Sequence, residues 1–172
     1  FYKNPIFYPP TEFEHPEELP SDYPPVIAFH SFKGGVGRTH LAMGLALALK
    51  KQYKDQPVLL IDGDLEAPGI NWMIKKRIPL FPISYSDLLS LVHGDPDPEA
   101  KTSIELVAKQ LKNAQLDGIY ILPAFRSFNH FSSREIRPEH IIRGSKDPFV
   151  LTRILGELGK KLNVSAVIID LR

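Results

Sequence analysis

Four short apolar runs, Val26 to Phe29, Val58 to Ile61, Ile119 to Leu122 and Ala166 to Ile169, each stop at a polar residue or a proline. Runs this short that are apolar throughout, rather than alternating, mark strands covered on both faces. Helical patterns separate them. From about Arg38 to Lys51 the segment LAMGLALALK is apolar on nearly all sides, which predicts a helix buried against a sheet and other helices. Further on, Pro98 stands at a predicted helix start, and Ile104, Val107, Ala108 and Leu111 share one face at helical spacing. Asp147-Pro148 has the form of an N-cap followed by a first helical residue, ahead of a stripe formed by Leu151, Ile154, Leu155, Leu158 and Leu162. Strands that alternate with helices predict an α/β fold: a mostly parallel sheet with helices on both faces.

At 172 residues, 43% of them hydrophobic, the chain is long enough for one domain with a substantial core. Residues 1–25 contain Pro5, Pro9, Pro10, Pro16, Pro20, Pro24 and Pro25, a density that excludes helix and predicts an extended arm, linker or packing strap. Residues 26–172 are then the folded unit, with both ends expected to be cuts through a longer protein. Twenty-one basic residues against twenty acidic ones leave a charge of +1, so no global field favours nucleic acid or an anionic membrane. With no cysteine in the chain, disulfides, thiolate nucleophiles, iron–sulfur clusters and cysteine-held zinc are excluded. The longest apolar run, Leu41 to Leu49, is too short to span a bilayer, and no targeting segment is visible, so a cytoplasmic location is expected.

The chemistry concentrates in KGGVGRT, Lys33 to Thr39, which lies between a predicted strand and a predicted helix. Gly34, Gly35 and Gly37 let the backbone curl so that successive N–H groups face one concavity, and the following helix start adds partial positive charge. A polyphosphate is the natural ligand. Arg38 stands where phosphate loops carry a lysine for the β- and γ-phosphates, and Thr39 offers a hydroxyl to Mg²⁺. Val36 and His40 complete the nucleotide-binding stretch. The plain alternative is a glycine-rich turn without a ligand.

KGGVGRT resembles the deviant Walker A loop of the ParA/MinD-like P-loop ATPases, whose pattern carries an extra lysine before the glycines. The resemblance implies a P-loop NTPase fold, here incomplete at its C-terminus, that binds ATP with Mg²⁺ and forms an ATP-dependent homodimer. It further implies that Lys33 acts in trans on the partner's nucleotide. Phe32 departs from the general pattern, and Arg38 replaces the family's second lysine; arginine keeps the charge and a fork for phosphate, while its bulk implies slow turnover.

Two acidic segments complete the resemblance. VLLIDGDLEAPG, Val58 to Gly69, brings Asp62 and Asp64 to the end of a buried strand, where α/β sheets bind ligands. By itself Asp-Gly-Asp is also an ordinary turn. The resemblance implies that Asp62 supports the metal and that Asp64 orients the attacking water, making Lys33 and Asp64 the catalytic pair. Glu66, Pro68 and Gly69 fall in the corresponding switch. AVIIDLR, Ala166 to Arg172, is similar to a Walker B strand and implies that Asp170 joins Thr39 and Asp62 as a metal residue, the alternative being a strand-ending aspartate without metal.

Other features carry less. His30, and His40 taken alone, read as packing residues, and Lys75, Lys76 and Arg77 as a solvated face. FRSFNHFSSR, Phe125 to Arg134, fits a dimer contact, a folded lid or, with weaker support, a nucleic-acid surface. The implied function is a dimerising switch ATPase that controls partitioning, positioning or a protein effector. A phosphotransferase similar to tyrosine autokinases and an ATP-sensing module without efficient turnover are the alternatives. A tyrosine cluster at a chain end would mark the autokinase, and neither end has one.

Overall fold

The computed structural model describes residues 20–74, 76–78, 80–97, 99–127 and 149–171. Five strands form one sheet: β1 (Val26–Phe29), β2 (Val58–Asp62), β3 (Gln115–Leu116), β4 (Ile119–Leu122) and β5 (Val167–Asp170). Their order across the sheet is β1-β5-β2-β4-β3, and every pairing is parallel except that of β3 with β4. The helices are α1 (Arg38–Gln52), α2 (Gly69–Ile74), α3 (Tyr85–Gly94), α4 (Lys101–Leu111) and α5 (Val150–Lys161). This is the mostly parallel α/β fold expected from the alternating pattern.

Strands β2 and β5 are buried at every position, as an unbroken apolar run requires. Helix α1 packs against β1, β2, β4 and β5, and a second layer is made by α4 on β4 and α5 on β1 and β5, the two helices packed against each other. Ile104, Val107 and Leu111 of α4, with Ile154, Leu155 and Leu158 of α5, carry the second layer, the stripes expected from their helical spacing.

Helix α1 departs from expectation. Ala42 and Ala46 are its buried residues, whereas Leu41 and Leu47 are 61% and 58% exposed. The nearly all-round apolar composition implied burial against a sheet and other helices, but small alanines let the helix sit close to the sheet on one face, Leu45 and Leu49 pack partly against the core, and Leu41 and Leu47 stay largely exposed. Two helices, α2 and α3, were not anticipated. For α3 the signal was present: Ser84 and Asp87 form a reciprocal capping box, the serine accepting from the Asp87 N–H and the aspartate from the Ser84 N–H. The two-residue strand β3 is too short to announce itself by pattern.

Among residues 20–25, the proline-rich stretch runs along α5. Tyr23 and Pro24 lie so close to Gly156 and Gly159 that a methyl group on either glycine would stand 2.4 and 2.6 Å from them. Asp22 pairs with Lys160 at 2.6 Å. The rest of that stretch, Pro98, Lys75, the Asp147-Pro148 cap and residues 128–134 of the aromatic segment lie outside the described residues; α5 is described with Phe149 at its N-cap position.

Candidate functional site

Register places the key residues level with one another. Phe29, the last residue of β1, is opposite Asp170 of β5, and Asp170 is in turn opposite Asp62 of β2. The carboxyl ends of three adjacent strands therefore present the start of the glycine loop and two carboxylates side by side, the position where open α/β sheets take ligands. Gly35 and Gly37 have φ of 75° and 84°, left-handed values that a residue with a Cβ adopts at a cost, and Gly37 is the N-cap of α1. Ser31 Oγ accepts from the Lys33 N–H at 3.2 Å and donates to the Lys33 carbonyl at 3.0 Å, which fixes the entry to the loop. Lys33 and His40 themselves are exposed.

A cavity of about 450 Å³ lies over this loop, lined by every residue from Lys33 to His40 together with Gly69 and Met73 of α2. A larger one of about 550 Å³ sits between α3 and α4, bordered by Ile83, Asp87, Leu91, Leu106 and Arg126. The larger cavity has no glycine loop in its lining, whereas the smaller one is walled by it. Met73 escaped the sequence reading because α2 itself did.

Four of the expected site residues, Arg38, Thr39, Asp64 and Asp170, are joined by direct hydrogen bonds. Arg38 donates from Nε to Asp170 Oδ1 at 2.5 Å and from a terminal nitrogen to Asp64 Oδ2 at 2.8 Å. Thr39 Oγ1 donates to Asp170 Oδ2 at 2.6 Å. Asp64 Oδ1 accepts from the Glu66 and Ala67 N–H groups, so its carboxylate also shapes the turn after β2. Asp62 sits apart from this cluster. Its Oδ2 accepts from the Ile70 and Asn71 N–H groups at 2.9 and 3.2 Å, capping the start of α2, while its buried Oδ1 meets no partner among the described residues. Burial pushes the Asp62 carboxyl up to about 7; the Asn71 N–H bond opposes the rise and the neighbouring Asp170 charge adds to it.

Helix α2 is wedged into the site. A Cβ on Gly69 would stand 2.7 Å from Thr39 Oγ1, so only glycine lets the α2 backbone rest on that threonine. Asn71 carries the contact onward: its side chain donates to the Phe125 carbonyl at 2.8 Å and accepts from the Ala124 N–H at 2.9 Å, just beyond β4.

The donors suit magnesium. Thr39 and Asp170 offer adjacent hard oxygens, Asp62 keeps a buried carboxylate oxygen without a partner, and no cluster of three or more metal-binding side chains occurs among the described residues. Magnesium is commonly held by one or two carboxylates plus phosphate and water rather than by an all-protein cage, and this set matches that habit. No described helix is long and apolar enough to cross a membrane.

No protein-family model matches the chain, and no curated protein sequence does. Solved structures do. A plasmid partition protein from Borrelia burgdorferi aligns with a TM-score of 0.52 and 23% identity, over 86% of this chain and 56% of its own length. Cobyrinic acid a,c-diamide synthase from Mycobacterium smegmatis, solved with bound ADP and magnesium, aligns with a TM-score of 0.51 and 23% identity over 86% of this chain and 50% of its own. The likeness is one of fold, a mostly parallel sheet with helices, and the chain spans about half the length of either structure.

Proposed function

We propose that the chain carries the Mg-ATP site of a cytoplasmic, dimerising switch ATPase of the ParA/MinD type, with residues 26–172 forming the N-terminal part of its ATPase domain and residues 1–25 an arm. The observation that carries this reading is the convergence of Arg38 and Thr39, at the start of α1, on Asp170 at the end of β5, beneath a cavity walled by the glycine loop. The fold shared with an ADP- and magnesium-bound synthase and with a plasmid partition protein supports it.

In this reading the loop N–H groups and Arg38 bind the polyphosphate, and Gly34, Gly35, Val36, Gly37 and His40 line its path. Thr39 and Asp170, with Asp62 behind them, hold magnesium, which when bound neutralises charge on the phosphoryl oxygens. Asp64 orients water, and Lys33, exposed on the loop, reaches the nucleotide of a second copy. Dimerisation on ATP and release on hydrolysis then control a protein effector, with partitioning or positioning as the output. An ATP-sensing module of low turnover is the second reading, favoured by the hold of Arg38 on Asp64.

Calorimetry tests the first step. Arg38→Ala and Thr39→Ala should each weaken Mg-ATP binding about tenfold or more, from the loss of a charged hydrogen bond or a metal oxygen. Unchanged affinity in both variants would remove the phosphate-loop reading. Steady-state phosphate release by the parent protein separates the switch from the low-turnover module.

A further inference from the structure

Every oxygen of Asp64 and Asp170 is engaged by the protein itself. Asp170 spends Oδ1 on Arg38 Nε and Oδ2 on Thr39. Asp64 spends Oδ2 on the Arg38 terminal nitrogen and Oδ1 on two backbone N–H groups. The arrangement is enclosed: the Arg38 side chain is 14% exposed, that of Asp64 4% and that of Asp170 not at all. One guanidinium thus ties the end of β5 to the turn after β2. A lysine in its place, a single point charge, has no fixed fork with which to hold two carboxylates in defined directions at once.

We propose that Arg38 is an internal latch, masking the metal carboxylate Asp170 and the water-orienting carboxylate Asp64 together and releasing both when a polyphosphate draws its guanidinium into the glycine loop. The inference rests on the nucleotide-site reading above and adds an order of events to it. Arg38 lies at the first position of α1, within the cavity lining, so a bound phosphate competes directly with the two aspartates for the same donors. A divalent cation, by contrast, has nothing to offer a guanidinium and must displace it from Asp170 without compensation. Metal alone is therefore excluded, phosphate opens the site, and Asp64 becomes available in the same movement. The replacement of the usual lysine by arginine acquires a role beyond phosphate binding: it couples the two carboxylates.

The test is Mn²⁺ binding to the natural full chain without nucleotide, followed by the electron paramagnetic resonance of free Mn²⁺. The parent protein should show no tight site, Arg38→Gln should bind Mn²⁺ about tenfold or more tightly, in the range of ordinary site coupling, and adding Asp170→Asn to that variant should abolish the gain. Equal Mn²⁺ affinity in parent and Arg38→Gln overturns the latch. Because Arg38→Gln leaves two enclosed carboxylates without their cation, the parent protein is also followed by nuclear magnetic resonance of the Arg38 Nε–H, assigned through its loss in Arg38→Lys. Magnesium alone should leave that resonance in place, and ADP in EDTA should shift it; displacement by magnesium alone, or no shift at saturating ADP, overturns the proposal. If calorimetry instead finds no ADP or ATP binding at all, the nucleotide reading fails, and the Mn²⁺ comparison still decides whether Arg38 masks Asp170.

Discussion

Burying a carboxylate with one oxygen unpartnered costs free energy that hydrogen bonds to the other oxygen offset only in part. Asp62 is such a group, and its raised pKa measures the conflict: the neutral form suits the fold, and the ionised form suits a cation. The sign follows from the shift. With a folded value of about 7 against 3.8 for the ordinary carboxyl, the stability that Asp62 contributes is fully present below pH 3.8 and lost as pH rises through about 7. Asp62→Asn keeps an oxygen for the Ile70 and Asn71 N–H groups and removes the charge. In EDTA that variant should be more stable than the parent at pH 7.5, about equal to it near pH 4, and defective in magnesium-dependent nucleotide binding. Urea denaturation at the two pH values checks the first part; a variant less stable than the parent at both would show that Asp62 is held by something other than the α2 cap. The placement of the candidate residues at the strand ends was legible because each stands at a fixed offset from an apolar run. The pairing of Arg38 with both Asp64 and Asp170 was not, since those partners lie 26 and 132 positions away.

Helix α2, of six residues, is too short to hold itself together by its own hydrogen bonds, and its position depends on what grips its ends. Asp62 caps it, Gly69 seats it on Thr39, and Asn71 ties it to the Ala124 N–H and Phe125 carbonyl. Asn71→Ala removes both hydrogen bonds and takes from the buried Ala124 N–H its side-chain acceptor, an expected loss of about 1–3 kcal/mol. Denaturation gives the magnitude, and amide exchange should show Ala124 losing protection while β2 and β5 keep theirs. A loss below about 0.5 kcal/mol, the range of ordinary surface substitutions, would mean that water or relaxation replaces the side chain. Sequence pattern missed α2 because a single turn and a half carries no periodicity and its cap comes from a residue seven positions before its start. Helices α4 and α5 were readable by contrast: eleven and twelve residues display a full apolar stripe.

For the whole molecule, the proposed dimer makes a quantitative expectation. Lys33→Ala and Asp64→Ala should each be inactive alone. Mixed in equal amounts, about half of the dimers become heterodimers with one complete site each, restoring about a quarter of parental phosphate release if Lys33 acts across the two-fold axis. Activity that stays at background across all mixing ratios, with heterodimers shown to form, would confine Lys33 to its own subunit. The exposed face of α1, with Leu41 and Leu47, belongs to the same level of organisation, because composition states that a helix is apolar and not which of its sides finds a neighbour.

Local chemistry was already written in the chain: glycines where a loop must curl, apolar runs that end on carboxylates, and stripes at helical spacing each depend on residues within a few positions of one another. Strand order is another matter. Nothing in the sequence states that β5, last in the chain, inserts between β1 and β2, yet that insertion brings Asp170 level with Asp62 and within reach of Arg38 and Thr39. The physical reason is that sheet pairing and side-chain packing compare all segments at once, so contacts between distant positions are selected by the burial of the whole core and not by any stretch of sequence that contains them.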